Sequence, residues 1–293
     1  MRDVALSELL RARREGRETL ELEGVRVDLG ALGAPALARA AVDEDLELFH
    51  LSAAELLRLQ ATSPRRPRIE GRSHRATAAR RLLAGRPGER WEPPQHLGLG
   101  LAERGAVDGM RYLCEHRLGG VLCEAPARRR QVLAVLLWLR GQPEGCGPCL
   151  VTTPESELVT WRETCAQVTP DLRLAEPPDA FHGADLLLVP HAMLRRYLSE
   201  LRGLGIGLAL LDEAHDLPDE SSAMPRAFAM LGAEVKIGVA SGSLAPDRIK
   251  PLLDLVAPGY LGEDASFLAR YGGGARPKEL ERLVASLVWR GLA

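Results

Sequence analysis

Short, almost wholly apolar segments recur along the second half of the chain, and stretches with helical periodicity separate them. The predicted strands cover residues 120–123, 149–153, 185–189, 207–211 and 236–240. The run 186–189, Leu-Leu-Leu-Val, has no alternating polar positions, which is typical of parallel strands that helices cover on both faces. The alternation of strands and helices therefore predicts an α/β fold with a doubly wound parallel sheet.

Helices are predicted between and after these strands, and the composition supports a packed core. The predicted helices cover residues 128–140, 155–168, 192–202, 222–231, 246–256, 264–271 and 277–290. Of the 293 residues, 46% are hydrophobic and 27% are charged, which excludes a wholly disordered chain. The longest apolar stretches, such as 132–139, are far shorter than the ~18–20 residues of a membrane span, and no hydrophobic signal core follows Met1. We therefore expect a cytoplasmic protein without a membrane span.

The first 60 residues predict a small α+β unit ahead of this sheet. Apolar residues alternate around Glu23-Gly24, which predicts a hairpin over residues 19–29. Short helices are predicted over residues 6–14 and 33–43, and a capping box at 52–55 opens a helix through Leu59. Residues 61–96 are interpreted as an Arg- and Pro-rich connector with one helix at 74–83, and residues 97–293 as the α/β lobe.

The most specific local signal is an apolar strand that runs directly into two acids. Residues 208–211 are followed by Asp212 and Glu213, and then by Ala214 and His215. In open α/β sheets, ligands bind beyond the carboxyl ends of the strands. An Asp at this position can hold Mg²⁺ through water, and a Glu beside it can polarise an attacking water. Two solvated acids in a strand-to-helix loop are the alternative interpretation.

Together with its neighbours, this string resembles the Swi/Snf-type DNA translocases, a branch of the superfamily-two helicase-like ATPases. The resemblance covers about residues 97–293 and corresponds to the first of that family's two RecA-like lobes. The matching segments follow the family's order, at residues 109–113, 119–122, 148–154 with Trp161, 185–194, 212–215, 236–243 and 251–259. The resemblance implies a RecA-like lobe in which residues 212–215 form the Walker B, or DEAH, box.

The phosphate loop of that family, Gly-x-Gly-Lys-Thr, is degenerate in this chain. An ungapped alignment places the segment 127–131, Ala-Arg-Arg-Arg-Gln, on those five positions. Both glycines are lost, although they allow positive φ and bring bare N–H groups to phosphate. Arg130 stands in place of the lysine, as a wide planar fork rather than a compact charge. Gln131 replaces the threonine whose hydroxyl binds Mg²⁺ in the family.

These departures predict a lobe that does not hydrolyse ATP and acts as a binding or scaffold module in a DNA-associated or multiprotein assembly. Asp212 and Glu213 would then be vestigial catalytic acids, Arg130 and Gln131 a degenerate nucleotide site, and no cofactor or metal would be bound. The alternative is the ATP-binding half of a DNA-dependent ATPase or translocase with Mg-ATP as its cofactor. Because the chain ends at Ala293, where the first lobe ends, that alternative requires a partner chain that supplies the second lobe.

The two acids need a counter-charge if they recruit no metal. A guanidinium can bridge carboxylates in fixed geometry and does not lose its proton. We therefore predict an ion pair of Arg130 with Asp212 or Glu213 that fills the nucleotide site.

The connector is the candidate nucleic-acid interface. Ten arginines and two acids lie between Arg58 and Arg90. Phosphate backbones bind such patches, and the candidate contacts are Arg65, Arg66, Arg68 and Arg72. A solvated linker is the alternative, because 35 of the 38 basic residues in the chain are arginine and the net charge is −2.

Two further patterns are interpreted as structural. Cys146-Gly-Pro-Cys149 copies a thioredoxin active-site string, but it precedes a predicted strand instead of opening a helix, and it lacks a second pair of zinc ligands. Trp138 and Trp161 lie on predicted helical faces and are expected in the core.

Overall fold

The computed structural model describes residues 19–22, 25–28, 53–62, 74–88, 90–123, 128–143, 146–216, 222–241, 246–272 and 277–290. The chain divides into two compact units. The first unit comprises residues 1–85 and 278–283, and the second comprises residues 86–277 and 284–293. The boundary after Gly85 falls inside the predicted connector of residues 61–96, whose limits stay a prediction.

The first unit contains a hairpin and a helix pair. Strands β1 (Thr19–Leu22) and β2 (Val25–Asp28) pair antiparallel with Leu22 opposite Val25, which confirms the predicted hairpin. Helices α1 (Ala53–Thr62) and α2 (His74–Ala84) confirm the two predicted helices. Leucines of both helices are buried, and Gln60 Nε2 donates to the Leu83 carbonyl at 3.2 Å. The predicted helices at 6–14 and 33–43, and the cap at Ser52, lie outside the described residues.

The second unit is built on a seven-stranded parallel sheet in the order β5-β6-β4-β7-β8-β3-β9. Its strands are β3 (Gly120–Cys123), β4 (Cys149–Thr153), β5 (Leu174–Ala175), β6 (Leu186–Pro190), β7 (Leu208–Asp212), β8 (Val235–Val239) and β9 (Val288–Arg290). The five predicted strands are confirmed to within one residue at each end. All residues of β3, β4 and β7 are buried, as the continuous apolar runs predicted.

Helices occur where the periodicity predicted them, apart from the first, which precedes β3 and was not predicted. They are α3 (Leu101–Glu115), α4 (Arg128–Arg140), α5 (Leu158–Val168), α6 (Leu194–Arg202), α7 (Ala223–Ala229), α8 (Pro246–Val256), α9 (Asp264–Tyr271) and α10 (Pro277–Val284). Single 3₁₀ turns, Glu155–Glu157 and His191–Met193, lead into α5 and α6. No helix among the described residues is long and apolar enough to cross a membrane.

The structure corrects one predicted helix and adds two strands. The predicted helix over 277–290 is wrong beyond Val284, because Val288–Arg290 forms β9 at the sheet edge. There Val121, Leu122 and Cys123 of β3 pair in parallel with the last three residues of β9. The sheet edge supplies a partner that local periodicity does not reveal. The two-residue strand β5 was not predicted, because it is too short to produce a pattern.

Candidate functional site

Asp212 is the buried centre of the site, at the carboxyl end of β7. Asp212 is only 1% exposed. Four hydrogen-bond donors of the protein contact its carboxylate. Oδ1 accepts from Arg128 Nε at 2.7 Å and from the Glu213 backbone N–H at 3.0 Å. Oδ2 accepts from Thr153 Oγ1 at 2.8 Å and from Trp161 Nε1 at 2.7 Å. Because an ionised carboxylate offers about four acceptor positions, protein donors occupy all of them.

Glu213 adopts a left-handed backbone conformation directly after the strand. Its φ of +52° costs a non-glycine residue about 1–2 kcal/mol. Its Oε1 accepts from Arg128 Nη2, and its Oε2 accepts from Ser241 Oγ at 2.8 Å. The Nδ1 atom of His215 lies 3.3 Å from the same Oε2. The carboxylate is therefore held on both oxygens.

Arg128 joins the acids into one network. It is the first residue of α4 and only 6% exposed, and its guanidinium contacts Asp212, Glu213 and Glu157, the last at 2.8 Å. Arg129 also binds Glu157, and its guanidinium carbon lies 5.9 Å from the centre of the Trp161 ring. Burial, and next the charge of Arg128, lower the pKa of Arg129. Two guanidinium groups are thus shared among three carboxylates.

The predicted ion pair of Arg130 with Asp212 or Glu213 is wrong, because Arg128 makes both contacts. Arg130 is exposed, and a Cβ placed on Gly98 would lie 3.1 Å from its Nη1. The helical period explains the difference: the residues of α4 that face inward at i, i+3, i+4 and i+7 are Arg128, Gln131, Val132 and Val135. Residues 132–139 are apolar at every position, so the sequence did not show which face of the first turn of α4 is buried.

Gln131 lies on the same buried face, only 2% exposed. Its Oε1 has no hydrogen-bond partner among the described residues. Ala127 and the rest of the phosphate-loop segment, residues 124–127, lie outside the described residues.

Besides Arg128, Arg129 and Ser241, three residues of the network were not predicted as site residues. Glu157 ends the 3₁₀ turn after β4, and sequence alone does not distinguish it from the neighbouring Glu155. Trp161 is buried as expected for a core residue, but its indole N–H also donates to Asp212. Thr153 is the last residue of β4, next to β7 in the sheet.

His191 lies at the end of β6, near these acids. Burial lowers the pKa of its imidazole, and the charges of Asp212 and Glu213 act in the opposite direction without overcoming burial. Burial therefore favours the neutral form of the imidazole in the folded protein.

The remaining candidates fall outside this site. Arg65, Arg66, Arg68 and Arg72 lie outside the described residues. All five cysteines are free thiols, and burial raises the pKa of Cys149, which begins β4 as expected. Among the described residues, no group of three or more His, Cys, Asp or Glu side chains is arranged to hold a metal ion.

Comparison with known proteins places this geometry in a broader context. No protein-family model matches the chain. The sequence is similar to the ISWI chromatin-remodeling complex ATPase ISW2 of Saccharomyces cerevisiae, at 22% identity over 200 residues, which covers 60% of this chain and 18% of that protein.

Two solved structures from Sulfolobus solfataricus are similar in fold. The SWI2/SNF2 ATPase core in complex with dsDNA has 20% identity and a TM-score of 0.62, and the match covers 69% of this chain and 46% of that chain. The SWI2/SNF2 ATPase core domain has 21% identity and a TM-score of 0.59, with 68% and 45% covered.

The chain thus spans about a fifth of the curated relative and slightly less than half of the solved structures. The structural likeness shows that the second unit has the RecA-like α/β fold of these cores. The predicted fold class and the resemblance to one Swi/Snf-type lobe are therefore confirmed.

Proposed function

We propose that the second unit is a non-hydrolysing helicase-like lobe that serves as a binding or scaffold module in a DNA-associated or multiprotein assembly. The observation that carries the proposal is the Arg128 guanidinium, which is bonded to both Asp212 and Glu213. In a working lobe of this kind, those two acids would face Mg²⁺ and the attacking water.

The donor set around Asp212 does not fit a water-bridged magnesium ion. Mg²⁺ keeps several waters and needs free carboxylate oxygens to accept from them. Here Arg128, Thr153 and Trp161 donate to the carboxylate, together with one backbone N–H. Removing Arg128 from the acids would leave a buried cation without partners, at a cost of about 3–5 kcal/mol. The donors that surround Asp212 therefore take the place that the metal of a hydrolytic site would need.

The phosphate-binding positions support the same proposal. Gln131 is buried with its amide on the inner face of α4, and Arg130 is exposed. The guanidinium of Arg129 is paired with Glu157. The remaining basic groups of this segment are therefore engaged within the protein or directed toward solvent.

Association with DNA is part of the proposal. One of the solved structures with this fold is a complex with dsDNA. For this chain, we assign the contact to the basic connector through Arg65, Arg66, Arg68 and Arg72, because phosphate contacts require such clustered cations.

Calorimetric titration of the whole chain with Mg-ATP tests the nucleotide part of the proposal. We expect no binding with a Kd below about 1 mM, which corresponds to a very weak affinity. Rebuilding the loop as Ala127→Gly, Arg129→Gly, Arg130→Lys and Gln131→Thr should not restore binding while Arg128 remains. Adding Arg128→Ala should restore it, because the acids are then released. Circular dichroism of each variant checks that the fold is retained.

Micromolar binding of Mg-ATP by the unaltered chain would contradict the proposal. That result would favour the ATP-binding half of a DNA-dependent ATPase, with its second lobe on another chain. Restored binding in the variant that keeps Arg128 would show that the lost glycines, and not the arginine, exclude the nucleotide.

A further inference from the structure

A wide groove lies between helices α6 and α7. In the described part of the chain, neither helix contributes a side chain to the network around Asp212 and Glu213. Its cavity volume is about 920 Å³, and four arginines line it: Arg195, Arg196, Arg202 and Arg226. The residues that line it from α7 recur at positions 223, 226, 227 and 230, which is the spacing of one helical face. One face of each helix therefore forms a wall of the groove.

Four arginines concentrate positive charge at the groove. Among the described residues, no acidic residue lines the groove, and no carboxylate forms an ion pair with any of its four arginines. Arg195 and Arg202 are seven residues apart on α6, so they lie on one face about 10 Å apart along the axis. Arg226 belongs to α7, the other wall.

Aliphatic side chains lie among these arginines. Leu198 is half-buried, Ala227 is buried, and Met230 is 57% exposed although it is a large apolar residue. A sugar-phosphate backbone presents mainly charged and polar oxygens to such a surface. An amphipathic polypeptide covers it better, because it presents apolar side chains beside carboxylates.

We propose that this groove binds an acidic amphipathic helix of a partner protein. An apolar side chain of that helix covers Leu198 and Met230, and its carboxylates pair with Arg195, Arg202 and Arg226, whose planar forks suit bidentate contacts. This inference rests on the proposed scaffold function and names the class of partner that the scaffold would bind.

The test uses a synthetic helical peptide of about 15 residues, or roughly four turns, with a leucine stripe flanked by glutamates. Fluorescence anisotropy with the whole chain should show saturable binding that weakens as salt is added. A matched peptide with glutamine in place of glutamate should not bind. The variant Arg195→Gln/Arg202→Gln/Arg226→Gln should lose about tenfold or more in affinity. The control Arg117→Gln/Arg162→Gln/Arg270→Gln removes equal charge from exposed positions elsewhere and should bind as the unaltered chain does.

A second variant isolates the apolar contact. Met230→Ser should weaken binding of the leucine peptide. It should not change the affinity for a peptide with alanine in place of leucine. Absence of binding by the leucine peptide, or equal loss in the control variant, would overturn the inference. Duplex DNA binding that the groove variant abolishes, without peptide binding, would reassign the groove to nucleic acid. None of these measurements involves ATP, so their failure is distinguishable from a failure of the nucleotide part of the proposed function.

Discussion

At Asp212, one carboxylate is surrounded by donors from three different elements and from its own neighbour. Arg128 comes from the start of α4, Thr153 from the end of β4, and Trp161 from α5. The sequence predicted the position of the two acids, because an apolar strand ending in Asp-Glu is a local pattern. It did not predict their partner, because the choice between Arg128 and Arg130 depends on which face of α4 is buried.

The coupling between Arg128 and Asp212 is measurable. We expect Asp212→Asn and Arg128→Gln each to lower the free energy of unfolding by about 3–5 kcal/mol, since each leaves a buried charge without its partner. The double variant should lose less than the sum, with a coupling of about 1–3 kcal/mol. Urea unfolding of the four proteins measures the cycle.

Asp171→Asn, at an exposed position, is the matched control for this cycle and should change stability by less than about 0.5 kcal/mol. Additive losses in the double variant would show that the two side chains do not stabilise each other.

The lowered pKa of His191 predicts that the stability of the protein depends on pH. Burial lowers the pKa of its imidazole in the folded protein below the value near 6.5 of an unfolded chain. Between those two values the unfolded state binds more protons, so stability is present above about pH 6.5 and is lost as the pH falls toward the folded-state pKa. The free energy of unfolding should therefore fall from pH 7 to pH 5, by at most about 1.4 kcal/mol per pH unit for this group.

In the His191→Gln variant, the contribution of this histidine to the slope of unfolding free energy against pH should disappear. Urea unfolding at several pH values measures this slope. His96→Gln, at an exposed position, reports the effect of replacing a surface histidine. Equal slopes in the His191→Gln variant and the unaltered chain would contradict the prediction.

At the scale of elements, the hydrophobic pattern of the sequence predicted the central strands and most helices. It did not predict the strands at the sheet edges. The strands of the sheet centre are buried on both faces, so their composition alone identifies them. Strand β9 has three residues and was predicted as the end of a helix. Its state is decided by pairing with β3 and by the packing of Trp289 on α3, both of which are distant in sequence.

Two glycines in α3 make the packing of β9 testable. A Cβ at Gly109 would lie 2.5 Å from the Trp289 ring, whereas a Cβ at Gly105 would meet nothing within 4 Å. Gly109→Ala should destabilise the protein by about 1–3 kcal/mol through overpacking. Gly105→Ala should stabilise it by about 0.5–1 kcal/mol, because alanine favours the helix interior.

Hydrogen exchange should show that Gly109→Ala exposes the amides of β9 before those of β4. Urea unfolding gives the two free energies, and Gly105→Ala serves as the control for the added methyl group. A neutral Gly109→Ala variant would mean that Trp289 does not hold β9 against α3.

At the scale of the whole molecule, two compact units divide the proposed tasks. The α/β unit carries the acids, their arginine and the arginine-lined groove, and the connector residues assigned to DNA precede it in the chain. The fold of the larger unit was predictable because its motifs occur in one order along the chain. The extent of the first unit was less predictable, because short polar segments leave weaker patterns.

Salt dependence tests the assignment of DNA to the connector. If Arg65, Arg66, Arg68 and Arg72 contact phosphates, the affinity for duplex DNA should fall steeply with salt and should not depend on sequence. Replacing all four with glutamine should reduce the slope of log affinity against log salt by about 3–4. Anisotropy with a labelled duplex at several salt concentrations measures this slope.

The matched control replaces four exposed arginines elsewhere, Arg117, Arg162, Arg270 and Arg282, with glutamine. A slope that the connector variant leaves unchanged, or that the control reduces equally, would show that the connector does not bind DNA.

The contact of Arg128 with both acids has a consequence for how the lobe responds to its surroundings. A counter-ion taken from solution stabilises a fold by mass action, so its effect rises and falls with its concentration. Here the counter-ion is covalently part of the chain, so its concentration at the two acids does not vary. We therefore expect that the melting temperature of the lobe does not change with added chelators, with the magnesium concentration or with the energy charge of the cell.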